Sequence, residues 1–173
     1  MKKIFALNGS ASENSSNRRL IASFVDLTKD FFDVTVFENL KSLPHFDPER
    51  IIDNTPEPVL NFRQSIENAD GILICTPEYV FSIPSGLKNA IEWCVATTVF
   101  SGKPTGLITA SANGESAHAE LQLIMKTVMA DFTPETTLLI NGIKGKINKQ
   151  NTIVDRKTKD DFMGFIKAFR IFF

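Results

Sequence analysis

The 173-residue sequence predicts an α/β fold in which one parallel sheet is covered by helices on both faces. Short apolar runs that suit buried strands alternate five times with longer segments whose apolar residues recur at helical spacing. Three of these runs end in loops rich in small polar residues, and ligands of doubly wound sheets bind beyond such strand ends. No repeat or linker divides the chain, so we expect a single domain over residues 1–173.

The first half of the chain supplies two strands and two helices. Ile4–Leu7 is short and apolar and predicts a buried strand. A helix is predicted from Asn17 to about Phe31, and its apolar stripe contains Leu20, Phe24, Leu27 and Phe31. The alternating segment "DVTVFE" predicts the second strand, and the proline-broken "SLPHFDPE" a loop. Pro58–Asn68 then predicts the second helix.

The second half supplies three strands and three helices. "GILICT", Gly71–Thr76, is the most apolar strand, and "PTGLITA" and "TTLLI" predict the fourth and fifth. A third helix is predicted after "SIPS" and a fourth over Ala117–Ala130. A last apolar stripe predicts a C-terminal helix that buries Phe162, Phe165, Ile166, Phe169 and Phe172. We expect the basic segment "GIKGKINKQN" between them to be a solvated loop.

Composition argues against several classes of partner. With 19 basic and 20 acidic residues, nothing predicts binding to nucleic acid or to an anionic membrane. No apolar run has the length of a membrane span, and we expect no membrane association. Cys75 and Cys94 lie in apolar patterns without metal-ligand spacing, which predicts buried free thiols, a cytoplasmic protein and no metal site.

The loop after the first strand, "LNGSASENSSN", contains four serines and three asparagines and runs directly into a helix. A helix N-terminus offers free N–H groups and partial positive charge, so these residues predict a phosphate site. Neither a Walker lysine nor a GxGxxG pattern is present, which favours a mononucleotide. Arg18 and Arg19 in the first turn would add attraction at longer range. The alternative is that Asn14, Ser15 and Asn17 only cap the helix.

"PEYVFSIPSGLKNAIEW", Pro77–Trp93, resembles the signature PEYN-x-SIP-x-x-LKNAIDW of the NAD(P)H-dependent FMN reductases. That flavodoxin-like family includes many quinone, chromate and azo-dye reductases. "GSASENSSN" is similar to the family's phosphate loop GS-x-R-x-x-S-x-N. Three features depart from the family: Ser12 replaces an arginine, Val80 replaces an asparagine, and the loop after the fourth strand lacks the double glycine common in the family.

The resemblance implies a flavodoxin-like, doubly wound five-stranded sheet of order 2-1-3-4-5 that binds FMN. NADPH or NADH would give hydride, a small electron acceptor such as a quinone would receive the electrons, and the protein would be a homodimer or homotetramer. The resemblance places Ser10, Ser12, Ser15, Ser16 and Asn17 at the phosphate. The residues that it places beside the flavin ring are Pro77, Glu78, Tyr79 and Val80. Those that it places at the far edge of the ring are Ser111, Asn113 and Gly114.

No catalytic side chain is predicted, because flavin N5 carries the chemistry and hydride transfer needs no protein acid. Glu78 as a general acid is a minor alternative, and Lys88 with Glu92 is expected to form a surface pair. The second function predicted is a flavodoxin-type electron carrier that binds FMN without turning over a small substrate.

Overall fold

The computed structural model describes residues 1–173 and contains one five-stranded sheet in the order β2-β1-β3-β4-β5. The strands are β1 (Lys2–Asn8), β2 (Phe32–Phe37), β3 (Gly71–Thr76), β4 (Thr105–Ser111) and β5 (Thr137–Asn141). All four neighbouring pairs are parallel. The fold class and the strand order that the resemblance implied are confirmed, and the carboxyl ends of all five strands meet at one edge.

Five α-helices cover the two faces of the sheet. They are α1 (Ser16–Thr28), α2 (Glu57–Glu67), α3 (Ser85–Glu92), α4 (Glu115–Thr127) and α5 (Arg156–Ile171). Residues of α1 and α5 share one apolar core, and residues of α2, α3 and α4 share the other. None of these helices combines the length and the apolar character needed to cross a bilayer.

Strand β3 runs through the middle of the sheet, and all six of its residues are buried. Ile72 and Ile74 face the core of α2, α3 and α4, whereas Leu73 and Cys75 face that of α1 and α5. Burial on both faces explains an uninterrupted apolar run. Burial also raises the pKa of the Cys75 thiol. The separate burial of Cys94, after α3, raises the pKa of that thiol to about 12, so both free cysteines are neutral thiols.

The end of the first helix differs from the prediction. Helix α1 ends at Thr28, and β2 begins at Phe32. Phe31 thus lies beyond the helix and is 41% exposed, and Leu27, in the last turn of α1, is 46% exposed, so their assignment to the buried stripe was wrong. Phe31 lies in the turn between the two elements, where the Arg170 guanidinium stacks 3.3 Å from its ring centroid.

The segment after β5 is not a fully solvated loop. Residues 143–145 form a 3₁₀ turn, and Ile147 pairs with Ile153 in a short antiparallel bridge. Ile143, Ile147 and Ile153 are buried against the core of α1 and α5, while Lys144 is exposed. The prediction failed because isolated isoleucines among lysines give no periodic signal.

Candidate functional site

A cleft of about 780 Å³ lies at the carboxyl edge of the sheet, a volume typical of small-molecule sites. The loops after β1, β3, β4 and β5 form its walls. Nine of the twelve predicted site residues line it, namely Ser10, Ser12, Ser15, Ser16, Asn17, Pro77, Glu78, Tyr79 and Ser111. Val80, Asn113 and Gly114 lie outside this lining.

The loop after β1 offers unpaired donors to the cleft. Ser15 caps α1, because its Oγ accepts a hydrogen bond from the Arg18 N–H at 3.1 Å. The backbone N–H groups of Ser15, Ser16 and Asn17 have no acceptor within the protein. All three residues line the cleft at the positive end of the helix dipole. This end of the cleft is therefore suited to an anion.

The Asn17 side chain holds the loop in place. The residue is only 3% exposed, and its Nδ2 donates to the Ala110 carbonyl of β4 at 3.1 Å. Its Oδ1 lies 3.3 Å from the Cys75 Sγ, which donates to it from the end of β3. The amide thus joins the start of α1 to the ends of β3 and β4, and the backbone N–H of Asn17 remains free.

Ser10 and Gly9 set the path of the same loop. The Ser10 hydroxyl accepts from the Ser12 N–H at 3.2 Å and lies 3.4 Å from the Tyr79 hydroxyl. A Cβ at position 9 would approach Thr76 Oγ1 to 2.5 Å, so only glycine lets the loop pass this close to β3. The loop after β1 is therefore packed directly against the loop after β3.

The loop after β3 is a tight two-residue hairpin. Tyr79 and Ser82 exchange both backbone hydrogen bonds, at 2.9 and 3.1 Å. The central residues Val80 and Phe81 have φ of +51° and +59°, as hairpins of this length require. They are 94% and 76% exposed, so the tip projects into solvent and the Val80 side chain does not face the cleft.

Two carboxylates anchor this hairpin to α4. Glu78 accepts hydrogen bonds from the N–H groups of Gly114, at 3.3 Å, and Ala117, at 2.9 Å. Glu120 accepts from the Ser82 hydroxyl at 2.7 Å and from the Ile83 N–H at 2.8 Å. Glu120 also faces the Lys88 ammonium at 3.7 Å, so the expected pairing of Lys88 with Glu92 was wrong.

The loop after β4 completes the opposite wall. Gly114 is buried with φ of +99° and precedes α4, which turns the chain away from the cleft and leaves Asn113 exposed. His118 in the first turns of α4 places its Nδ1 3.0 Å from the buried Thr109 hydroxyl. Burial lowers the pKa of His118 below its ordinary value, so the ring is neutral at pH 7.

Sequence reasoning missed the wall formed by the loop after β5. Gly142, Ile143 and Lys144 line the cleft, and the Gly142 N–H donates to the Ala112 carbonyl at 3.1 Å. The remaining lining residues are Asn14, Ala110 and Ala112, which were not among the predicted site residues, and Arg19, which was expected to attract the phosphate at longer range. The signal was present, because Gly142 directly follows β5, and the carboxyl end of β5 lies at the same edge of the sheet.

The sequence profile of the NADPH-dependent FMN reductases matches residues 2–143. The chain belongs to this family. The predicted family is thus confirmed, and with it an oxidoreductase that depends on FMN and NAD(P)H.

Curated relatives and solved structures agree with this membership. The chain is 30% identical over 166 residues to NADPH:quinone oxidoreductase of Arabidopsis thaliana, covering 91% of this chain and 85% of that protein. It is 27% identical over 175 residues to quinone reductase of Escherichia coli, covering 96% and 93%. FerB of Paracoccus denitrificans, a flavoenzyme NAD(P)H:(acceptor) oxidoreductase, superposes with a TM-score of 0.82 at 26% identity and covers 99% of this chain and 97% of its own.

Proposed function

We propose that this protein takes electrons from NAD(P)H and passes them to a quinone or a similar small electrophile through FMN bound in the cleft of the four loops. Family membership and the quinone reductases among the relatives support the reaction. The assignment of the site depends on the unpaired N–H groups of Ser15, Ser16 and Asn17. These groups lie beside walls formed by Pro77, Tyr79 and the loop after β4.

The donors of the cleft fit a flavin mononucleotide. A phosphate monoester needs several N–H and O–H donors, which the three free backbone groups and the hydroxyls of Ser12, Ser15 and Ser16 would supply. Pro77, Tyr79, Ala110 and Ala112 offer largely apolar surface that would flank the ring. We assign Ser10, Asn17 and Glu78 to holding the loops, since their side chains are engaged within the protein.

When bound, FMN supplies the hydride acceptor and the electron donor of the reaction. The protein binds and orients the reactants. Glu78 is an unsuitable general acid, because its carboxylate accepts from two N–H groups at the start of α4. His118 is bonded to Thr109 and does not line the cleft, so we assign it no part in proton transfer.

We also propose that residues 1–173 form one FMN-binding domain that works as a homodimer in the cytoplasm. Val80 and Phe81 form an exposed apolar tip beside the cleft, which suits a subunit contact. Two free thiols suit a reducing compartment. Light scattering should give twice the chain mass for the wild type and a monomer for Phe81→Glu. A monomeric wild type would contradict the dimer.

Flavin binding and reduction test the function. Apoprotein should take up FMN in preference to FAD and riboflavin, because only FMN ends in one phosphate. Anaerobic NADPH or NADH should then bleach the flavin band, and turnover with a soluble quinone should be ping-pong if both substrates use one open cleft. If neither nucleotide bleaches bound FMN within minutes, the electron-carrier alternative replaces the reductase.

A further inference from the structure

Two adjacent arginines at the start of α1 have different environments. The Arg18 Nε forms an ion pair with Glu38 Oε1 at 2.8 Å, and an Nη donates to the Glu13 carbonyl at 3.2 Å. Arg19 lines the large cleft and is half-buried, and its guanidinium has no ion-pair or hydrogen-bond partner within the protein, although its backbone N–H donates to the Ser15 carbonyl at 3.3 Å. The Arg18 guanidinium is thus engaged within the protein, whereas that of Arg19 is not.

A second unpaired cation comes from the loop after β5. Lys144 lines the same cleft from the loop after β5 and has no partner within the protein. This loop is not a free arm, because Ile143 is only 3% exposed and the neighbouring Gly142 N–H is bonded to Ala112. The backbone that carries Lys144 is thus fixed at the cleft.

The charges around the cleft are unbalanced. Glu78 is the one carboxylate among its lining residues, and its oxygens accept from the N–H groups of Gly114 and Ala117. Arg19 and Lys144 therefore face the cleft without a counter-charge. A phosphate monoester carries about −1.5 to −2 at pH 7. The phosphate loop itself has the neutral Ser12 where the family carries arginine.

We propose that Arg19 and Lys144 bind the terminal phosphate of FMN and replace the missing loop arginine. The proposal rests on the proposed function, since it assumes that FMN occupies this cleft. The guanidinium would reach the phosphate from α1 and the ammonium from the loop after β5, so the two groups would hold the phosphate end of the cofactor between these elements. The basic segment "GIKGKINKQN" thereby has a binding role as well as a structural one.

Fluorescence titration of the full-length apoprotein with FMN and with riboflavin tests the proposal. Arg19→Gln and Lys144→Gln should each weaken FMN binding about ten- to a hundredfold, the range expected for a hydrogen bond to a charged group. Riboflavin affinity should stay within about twofold of the wild type. Lys167→Gln removes an exposed cation of α5 that lies outside the cleft, and this control should keep wild-type FMN affinity. Raising the ionic strength should weaken FMN binding to the wild type more than to the variant that combines Arg19→Gln with Lys144→Gln.

Other outcomes of these titrations would contradict either the proposal or the proposed function. If either variant binds FMN as tightly as the wild type, or loses FMN and riboflavin equally, the proposal is wrong. It is also wrong if FMN affinity is unchanged and the ratio of KM values for NADPH and NADH shifts instead, because the cations would then read the nucleotide phosphate. A wild-type protein that binds neither flavin would contradict the proposed function itself. Arg19→Lys, which keeps the charge, should recover part of the FMN affinity.

Discussion

Val80→Asn should stabilise the protein. Val80 has φ of +51°, a conformation that costs an L-residue roughly 1–2 kcal/mol and suits a β-branched side chain least. Asparagine adopts this conformation readily, and Asn is the preferred first residue of a two-residue hairpin. Within one protomer the valine side chain is 94% exposed, so its replacement forfeits almost no area that is buried inside the subunit. We expect a gain in the free energy of unfolding of about 1 kcal/mol.

Urea and thermal unfolding of the apoprotein measure this gain. For a chain of this size about 1 kcal/mol corresponds to a rise in Tm of roughly 2–4 °C. Val80→Thr is the matched control, because threonine has the shape of valine and keeps the β-branched strain. Its stability should remain within about 0.5 kcal/mol of the wild type. If Val80→Asn is no more stable than Val80→Thr, backbone strain at this turn does not limit stability.

Three further predictions concern stability and reactivity. Glu120→Ala leaves the Ser82 hydroxyl and the buried Ile83 N–H without their acceptor. Urea unfolding should show that the free energy of unfolding falls by about 1–3 kcal/mol. An unchanged unfolding midpoint would mean that water replaces the carboxylate. Burial holds the pKa of His118 below the ordinary value of 6.5. As the pH falls through 6.5, the histidine of the unfolded chain therefore binds a proton before that of the folded chain does. The folded protein loses stability as the pH is lowered through this range. His118→Gln should flatten this decline between about pH 7 and 5.5, and an identical pH profile would exclude the histidine as its source. Cys75 and Cys94 should resist a chromogenic disulfide reagent in the native protein and both react in denaturant, whereas rapid native labelling would contradict their burial.

Strand β3 was predictable to the residue because both of its faces are buried, which leaves an unbroken apolar run between polar ends. The end of α1 was not, because Phe31 continues the helical spacing although it lies in the turn to β2. Spacing alone does not distinguish a buried phenylalanine from one covered by an arginine. Periodicity therefore located the elements better than their ends.

The four-walled cleft was predicted from three of its loops, and the residues that join these loops could not be recognised. Asn17 is held by Cys75 and Ala110, which lie 58 and 93 positions away in sequence. The positive φ of Val80 and Phe81 was also hidden, since neither residue type favours that conformation. The backbone conformations that valine and phenylalanine prefer differ from those that they adopt in this hairpin. The turn could therefore not be predicted from these residue types.

The hydrogen bonds that tie the strand-end loops to one another determine when conformational entropy is lost. Asn17 to Ala110, Glu78 to Gly114 and Gly142 to Ala112 connect these loops within the protein itself. The loops are thus ordered when the chain folds, and a ligand that enters does not bear that cost again. Affinity in such a preorganised cleft depends mainly on direct contacts, so substitutions that change single donors should act almost independently of loop motion.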